Sequence, residues 1–491
     1  MRSEIVVVGG GAGGLELACK LGRKLGPGKV ALVDSRLYHI WKPSLHEVAA
    51  GTLDIHQEGL SYQMLAHDNR FTFVFGTMTA LDAAAHRITV DAVGVGGEEV
   101  LPERSIEFGK LVIAVGSTSN YFGVPGALEN TISLNGTEDA ERFRLKLLRL
   151  MAIADQSRSE DAPAPTPAVA KARPRSIVET EALARAALTA TPNALPDNAG
   201  VDATSDASAP AAVSLAKPGR PGKGSVDIVI IGGGATGVEL AAELREASSV
   251  YASYGFDRLN AMRDVHLTLL EGAPRILSPL PEKVSNAALA LLEQRAIKVV
   301  TNCRVTAIGA DAVIDKEGNS YPADLCVWAA GIRAPEWLSS LGLPTGRGGQ
   351  IDVDDRLQVR GVRDVYALGD CAACVDAKGA TVPPRAQAAH QQADYLLDCF
   401  VRLAKGQAAP AKGYIYTDYG SLVSLGNTTS VGSLMGALQG FNWFVEGTFA
   451  RVMYLSLHLM HHRAVLGTVR TALLALARFL IRRTAPQVKL H

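Results

Sequence analysis

One local pattern occurs twice in this chain, and few folds accommodate it. An apolar run, Ile5 to Val8, leads straight into Gly9, Gly11 and Gly14, then a helical segment, then a second apolar run ending in Asp34. The second copy opens at Ile228, carries Gly232, Gly234 and Gly237, and passes through a helical segment to the run Val265 to Leu270 and Glu271. Short β-branched runs alternating with helical periodicity predict βαβ units, hence α/β architecture with parallel sheets.

Each copy satisfies G-x-G-x-x-G directly after a strand. In such a turn the first glycine permits the bend, the second lets a pyrophosphate touch the backbone and the third lets the helix pack closely. The helix N-terminus adds partial positive charge. Asp34 follows Gly14 by 20 residues, the spacing that places a carboxylate on a ribose hydroxyl. A glycine-rich turn without a ligand is the alternative, and strand, spacing and acid together argue against it. Glu271 lies 34 residues beyond Gly237, so an extra segment around Tyr251 to Met262 lengthens the second crossover. A carboxylate at that strand end repels a 2′-phosphate, which favours NADH over NADPH, while Arg275 nearby leaves NADPH open. Later strands are expected at Leu111 to Val115, Leu325 to Ala329 and Val365 to Leu368, each running into glycine: Gly116, Gly331 and Gly369.

A length of 491 residues requires more than one core. Between Ala162 and Gly222, 18 of 61 residues are Ala, 9 are Pro and none is aromatic, too little apolar surface to offset ordering entropy. The expected division is therefore 1–150 (first nucleotide domain, first part), 155–224 (disordered linker insertion), 225–343 (second nucleotide domain), 344–435 (first nucleotide domain, second part) and 436–491 (C-terminal region). Formal net charge is zero, which gives no reason to expect a nucleic-acid partner. Six scattered cysteines and no secretory signal before the first strand point to a reducing cytoplasm. No apolar stretch reaches the roughly 18 residues of a membrane-spanning helix. Without a C-x-x-C pair of pairs or an H-E-x-x-H string, no metal site is read from the sequence.

Two fingerprints in this order resemble the pyridine nucleotide-disulfide oxidoreductase superfamily, whose first domain holds FAD and whose inserted second domain holds NAD(P)H. Val365-Tyr-Ala-Leu-Gly-Asp370 resembles its second FAD motif, which implies that Gly369 and Asp370 contact the ribityl and phosphate region. Three strings resemble type II NADH:quinone oxidoreductases in particular. Gly232-Gly-Gly-Ala-Thr-Gly-Val-Glu239 implies a carboxylate near the nicotinamide, orienting it or tuning proton movement; an acid in a helix's first turn is the plain alternative. Ala386-Gln-Ala-Ala-His-Gln391 fits the quinone-site string A-Q-x-A-x-Q, implying that Gln387 and Gln391, four apart on one helix face, hydrogen-bond quinone carbonyls; a solvated polar face is the alternative. Trp41 to Gly51 resembles the flavin-side string Q-P-L-L-Y-x-V-A-x-G, with Lys42, Ser44 and His46 replacing common residues.

The rival assignments are a soluble ferredoxin or disulfide reductase and a sulfide:quinone oxidoreductase. The first domain carries Cys19 alone where a reductase pair belongs, and nothing lies between Cys19 and Cys303 to act as a sulfide oxidant's nucleophile. Cys371 and Cys374 read as small core residues. From Arg451 to His491 there are seven Arg or Lys and no acid. At 100° per residue Arg463, Arg470, Arg478 and Arg482 share one sector, and Leu466, Val469, Leu473, Leu476 and Leu480 another. With Phe441, Trp443, Phe444, Phe449 and Tyr454 ahead of them, they predict a detachable amphipathic anchor at an anionic bilayer; docking on the protein's own core, or an interface with another subunit, is the alternative. The expectation is thus two Rossmann-like domains plus a C-terminal membrane-anchoring helical region. It would pass a hydride from NADH to FAD and electrons to membrane quinone without pumping protons, from the cytoplasmic face of the cell membrane; a homodimer is left open.

Overall fold

The computed structural model describes residues 1–158, 223–426, 430–435, 442–481 and 488–489, and for some of these, 442–455 among them, the backbone alone. Most of the 155–224 insertion, Phe441 and Arg482 lie outside the described residues, as do the side chains of Trp443, Phe444, Phe449 and Tyr454.

The duplication in the sequence is a duplication in space. The first sheet has seven strands, five of them parallel in the order Thr72–Phe75, Val30–Asp34, Arg2–Val8, Arg104–Ile113, Val365–Ala367, with Arg87–Val90 and Met78–Asp82 added antiparallel. The second sheet runs Ile297–Val300, Val265–Leu270, Val226–Ile231, Leu325–Trp328, Ile132–Ser133, all parallel. In both, the fingerprint strand is central, and its partners are near-continuous apolar runs because helices cover both faces. The ten-residue strand Arg104–Ile113 does two jobs: its first half pairs antiparallel with Arg87–Val90, and its second half joins the parallel sheet. The strand Val365–Ala367 arrives from the far side of the insertion and completes the first sheet, which is why that sheet is discontinuous in sequence.

Each fingerprint helix starts just after the middle glycine, at Ala12–Leu25 and at Ala235–Gly255. The lengthened second crossover is that 21-residue helix plus a short one, Ala261–Asp264. Val6, Leu15, Leu32, Ile113 and Val365 share one core. Ile228, Leu240 and Leu267 share another, joined by Val48 and by Phe143 and Leu147 of helix Thr137–Gln156.

Helix Ala386–Ala404 packs against the first fingerprint helix. Three antiparallel strands follow, Gly420–Ser424, Ser430–Met435 and Asn442–Glu446. The tail then forms two helices, Gly447–Leu466 and Thr468–Ile481, where the sequence suggests one sector of arginines along one helix. The break is Gly467, whose φ of +82° is left-handed and open to glycine at little cost. No described helix is long and apolar enough to cross a membrane.

Candidate active site

The two glycine turns have the same internal geometry. Gly9 and Gly232 have φ of +101° and +112°, and a Cβ on either would strike the neighbouring strand's backbone at Ala114 or Ala329. A Cβ on Gly14 would lie 2.0 Å from the carbonyl oxygen of Gly9, and one on Gly237 1.9 Å from that of Gly232. The middle glycines differ. At Gly11 a Cβ would meet Ala114 O alone, at 3.9 Å, and at Gly234 no atom within 4 Å. Each turn is therefore closed on the protein side and open at the helix N-terminus, a cradle that fits a dinucleotide pyrophosphate. The strand-end acids repeat the symmetry. Asp34 accepts from Gly10 N at 2.6 Å and Arg36 N at 2.8 Å; Glu271 accepts from Gly233 N at 2.5 Å and Ala273 N at 2.7 Å. Burial raises the Asp34 pKa against those two hydrogen bonds. Arg275 spends its guanidinium on the carbonyls of Ser278 and Leu280.

Five segments of the chain meet around Gly369 and Asp370. Lys42 Nζ donates to Ser117 O at 2.8 Å, just past Gly116, and Ser117 Oγ donates to Asp370 Oδ2 at 2.7 Å. Gln350 donates to the carbonyl of Asp370 at 2.9 Å, and Gly369 N donates to Gln392 Oε1 at 2.7 Å. Burial lowers the Lys42 pKa, opposed by the Asp370 carboxylate. The fold thus unites Lys42, Gly116, Gly369 and Asp370 and adds Gln392, the neighbour of a glutamine chosen from sequence. Gly331 lies on the other domain, against the ring of Phe122.

Glu239 is buried in the second turn of its helix, accepts from Ser424 N at 3.0 Å, and lies 3.7 Å from His46 Nδ1. Burial, with Glu47 and Glu243 adding repulsion, pushes its pKa up to about 8, and burial pulls His46 down to about 4. At neutral pH both are uncharged, an arrangement suited to carrying a proton. Gln387 and Gln391 do share one face. Their amides engage one segment of backbone: Gln387 donates to Gly420 O at 3.1 Å and accepts from Tyr419 N, and Gln391 donates to Thr417 O at 2.8 Å and accepts from Thr417 N at 2.9 Å. Gln387 also donates to Asp418 at 3.2 Å.

One buried network has no counterpart in the sequence reading. Glu16, two residues past Gly14, takes His461 Nδ1 at 2.8 Å on one oxygen and His390 on the other; His461 Nε2 lies 2.9 Å from His39 Nε2, and His39 Nδ1 2.9 Å from Gly10 O. Burial raises the Glu16 pKa, but the hydrogen bonds from His390 and His461 outweigh it and hold the carboxyl down to about 2. The available signal was a charged residue on the packed face of the first fingerprint helix; its partners, 374 and 445 residues away, left none. His461 is buried, so the tail is not a detachable appendage. Arg470 and Arg478 correct the expected lipid-facing arginines, because they pair with Asp68 and Glu58 of the first domain. The opposite face points outward: Val469, Leu473, Leu476 and Leu480 are 74%, 61%, 57% and 56% exposed.

All six cysteines are buried and unpaired, and burial raises Cys371 and Cys374 to about 12, which removes the thiolate a disulfide or sulfide reaction requires. Two dinucleotide cradles on duplicated sheets, with no reactive cysteine pair, define a two-nucleotide flavoprotein oxidoreductase. The sequence profile of the pyridine nucleotide-disulphide oxidoreductases matches residues 3–158 and 184–393. A type II NADH:quinone oxidoreductase of Haemophilus influenzae is 36% identical over 493 aligned residues, covering 99% of this chain and 100% of its own. A demethylphylloquinone reductase of Synechocystis is 26% identical over 89% and 87% of the two chains. The structure of NDH2 from Plasmodium falciparum in complex with NADH superposes with a TM-score of 0.73 over 100% of both chains at 16% identity. This chain belongs to the type II NADH:quinone oxidoreductases. It is an FAD enzyme that oxidises NADH and reduces a quinone.

Proposed function

We propose that the FAD cradle is Gly9, Gly11, Gly14 and Asp34 with Lys42, Gly116, Gly369 and Asp370, and that Gly232, Gly234, Gly237, Glu271 and Gly331 hold NADH. The domain boundaries follow: 1–150 and 344–435 around FAD, 225–343 around NADH, and 436–491 as the membrane-facing part. When bound, FAD supplies the redox chemistry, taking two electrons from NADH and passing them to quinone. The protein's own part is to position the two nucleotides, exclude water and hold a proton on Glu239.

Quinone reduction consumes protons as well as electrons. We assign the quinone mouth to the wall made by residues 417–424, which Gln387 and Gln391 hold at one end and Glu239 meets at the other through Ser424 N. That wall, hydrogen-bonded to helix Ala386–Ala404 at one end and to a buried protonated carboxyl at the other, is the observation that carries the assignment. Because both amides are committed to backbone, the glutamines shape the mouth through this wall. The exposed leucine stripe rests on the cytoplasmic leaflet, so that a quinone ring reaches the mouth while its tail stays in hydrocarbon.

Stopped-flow absorbance separates the half-reactions. Gln387→Ala should slow flavin reoxidation by quinone at least tenfold and change flavin reduction by NADH less than twofold. Equal losses in both steps would make the glutamines supports of the fold and move the mouth elsewhere.

A further inference from the structure

His458 and His462 stand four residues apart on helix Gly447–Leu466, their rings stacked at a centroid separation of 4.5 Å. Glu58, at the end of the short helix Ile55–Glu58, faces them, and one ligand-capable atom from each of the three lies within 4.8 Å of the other two. His462 Nδ1 lies 3.0 Å from the carbonyl oxygen of His458, a contact that places the ring proton there and leaves the Nε2 lone pair facing the centre. In this structure the centre holds a cation supplied by the chain. The Arg478 guanidinium bonds Glu58 and stands 3.4 Å from His458 Nε2 and 3.3 Å from His462 Nε2. A cavity of about 10 Å³, room for one water or small ion, adjoins the triangle and is lined also by Trp41 and Leu60.

We infer that Glu58, His458 and His462 form a site for a divalent transition-metal ion of the zinc type, which competes with the Arg478 guanidinium for the same three acceptors. Two imidazoles and a carboxylate, with the histidines one helical turn apart, are a ligand set zinc takes. A planar guanidinium holds its acceptors further apart than an ion does. With metal–ligand bonds of about 2.1 Å the three atoms would close to ~3.3 Å from one another, a contraction that side-chain rotation supplies. Imidazole nitrogens also gain more from such an ion than from an arginine N–H, since they form coordinate bonds to it. Arg478 lies beyond the Gly467 break, so it leaves the triangle without moving either histidine. An ion here therefore releases one of the two ion pairs, Arg478 with Glu58 and Arg470 with Asp68, that tie helix Thr468–Ile481 to the first domain among the described residues. The cysteines do not compete, all six being buried.

The test uses the full-length, FAD-loaded protein and zinc alone, titrated against a chromophoric chelator at neutral pH. One zinc per chain is expected. Arg478→Ala, which removes the competitor, should bind at least tenfold more tightly, and Glu58→Gln and the pair His458→Ala with His462→Ala at least tenfold more weakly. Flavin absorbance reports whether each variant is folded; if the double histidine variant loses flavin, Arg478→Ala and Glu58→Gln decide. Hydrogen exchange in Thr468–Ile481 should quicken with zinc in the unmodified protein. Equal zinc affinity in the unmodified protein, Arg478→Ala and Glu58→Gln, or no zinc in any of them, would reduce the cluster to a structural clamp and overturn the inference.

Discussion

Oε2 of Glu239 lies 3.7 Å from Nδ1 of His46, and both side chains are buried and uncharged at neutral pH. This contact joins the second fingerprint helix to the segment beside Lys42, so its protonation registers in stability. Glu239 has a pKa of about 8 in the folded protein against 4.5 unfolded. Below pH 4.5 both states hold the proton. Between 4.5 and 8 the unfolded chain gives it up and the folded chain keeps it, so stability falls as pH rises, and above 8 the loss is complete. Glu239→Gln should match the parent in Tm near pH 4.5 and exceed it increasingly up to pH 8, where the stability difference is on the order of a few kcal/mol. Parallel Tm curves across that window would place the Glu239 pKa in the ordinary carboxylate range.

Gly11 offers a clean separation of binding from folding. Its φ of −69° suits any residue, and a Cβ there meets protein only at 3.9 Å. Gly11→Val should therefore fold and purify without colour, because its side chain occupies the pyrophosphate's place. Gly14→Ala, 2.0 Å from Gly9 O, should instead fail to fold. A folded, fully yellow Gly11→Val would remove the FAD assignment from this turn.

Both carboxylate oxygens of Glu271 are fixed by backbone N–H groups, so the charge cannot swing away from a 2′-phosphate. Glu271→Gln should narrow the ratio of kcat/KM for NADH over NADPH by tenfold or more, the range of a removed like-charge contact. An unchanged ratio would move discrimination to another residue of the loop.

The outward leucines are predicted to be the membrane contact. Leu473→Asp combined with Leu476→Asp should leave Tm and soluble-quinone reduction near those of the parent, since both positions are more than half exposed. Sedimentation with anionic liposomes should fall, each leucine contributing roughly 1.5–3 kcal/mol when buried in lipid. If the variant still sediments but changes from dimer to monomer, the stripe is an interface with a second copy of the chain.

Local features of the fold were legible because they are local in cause. Glycine spacing, apolar strands and the acids at Asp34 and Glu271 are set by contacts within one βαβ unit, and the structure repeats them twice. The pairing of Gln387 and Gln391 on one face was legible for the same reason, through helix periodicity. Their attachment to residues 417–420 was not, since a helix face does not declare what backbone lies against it. Burial of Glu16 likewise depends on histidines brought from positions 39, 390 and 461 by tertiary packing. The arginine sector of the tail was visible, but its sense was inverted: the charges found acids on the first domain, and the leucines were left outside.

His461 makes the tail part of the interior on which the first nucleotide turn rests. A chain cut before residue 441 loses that imidazole and leaves an ionised Glu16 with His390 and Lys20 as its remaining partners, while His39 keeps its contact with the Gly10 carbonyl but loses the ring it is braced against. Losing one of the hydrogen bonds that hold Glu16 ionised should lower the stability of the shortened chain. A cut just after Gly467 removes the leucine stripe and spares the imidazole. The outward leucine stripe and the imidazole that braces the first glycine turn are thus divided at a single glycine.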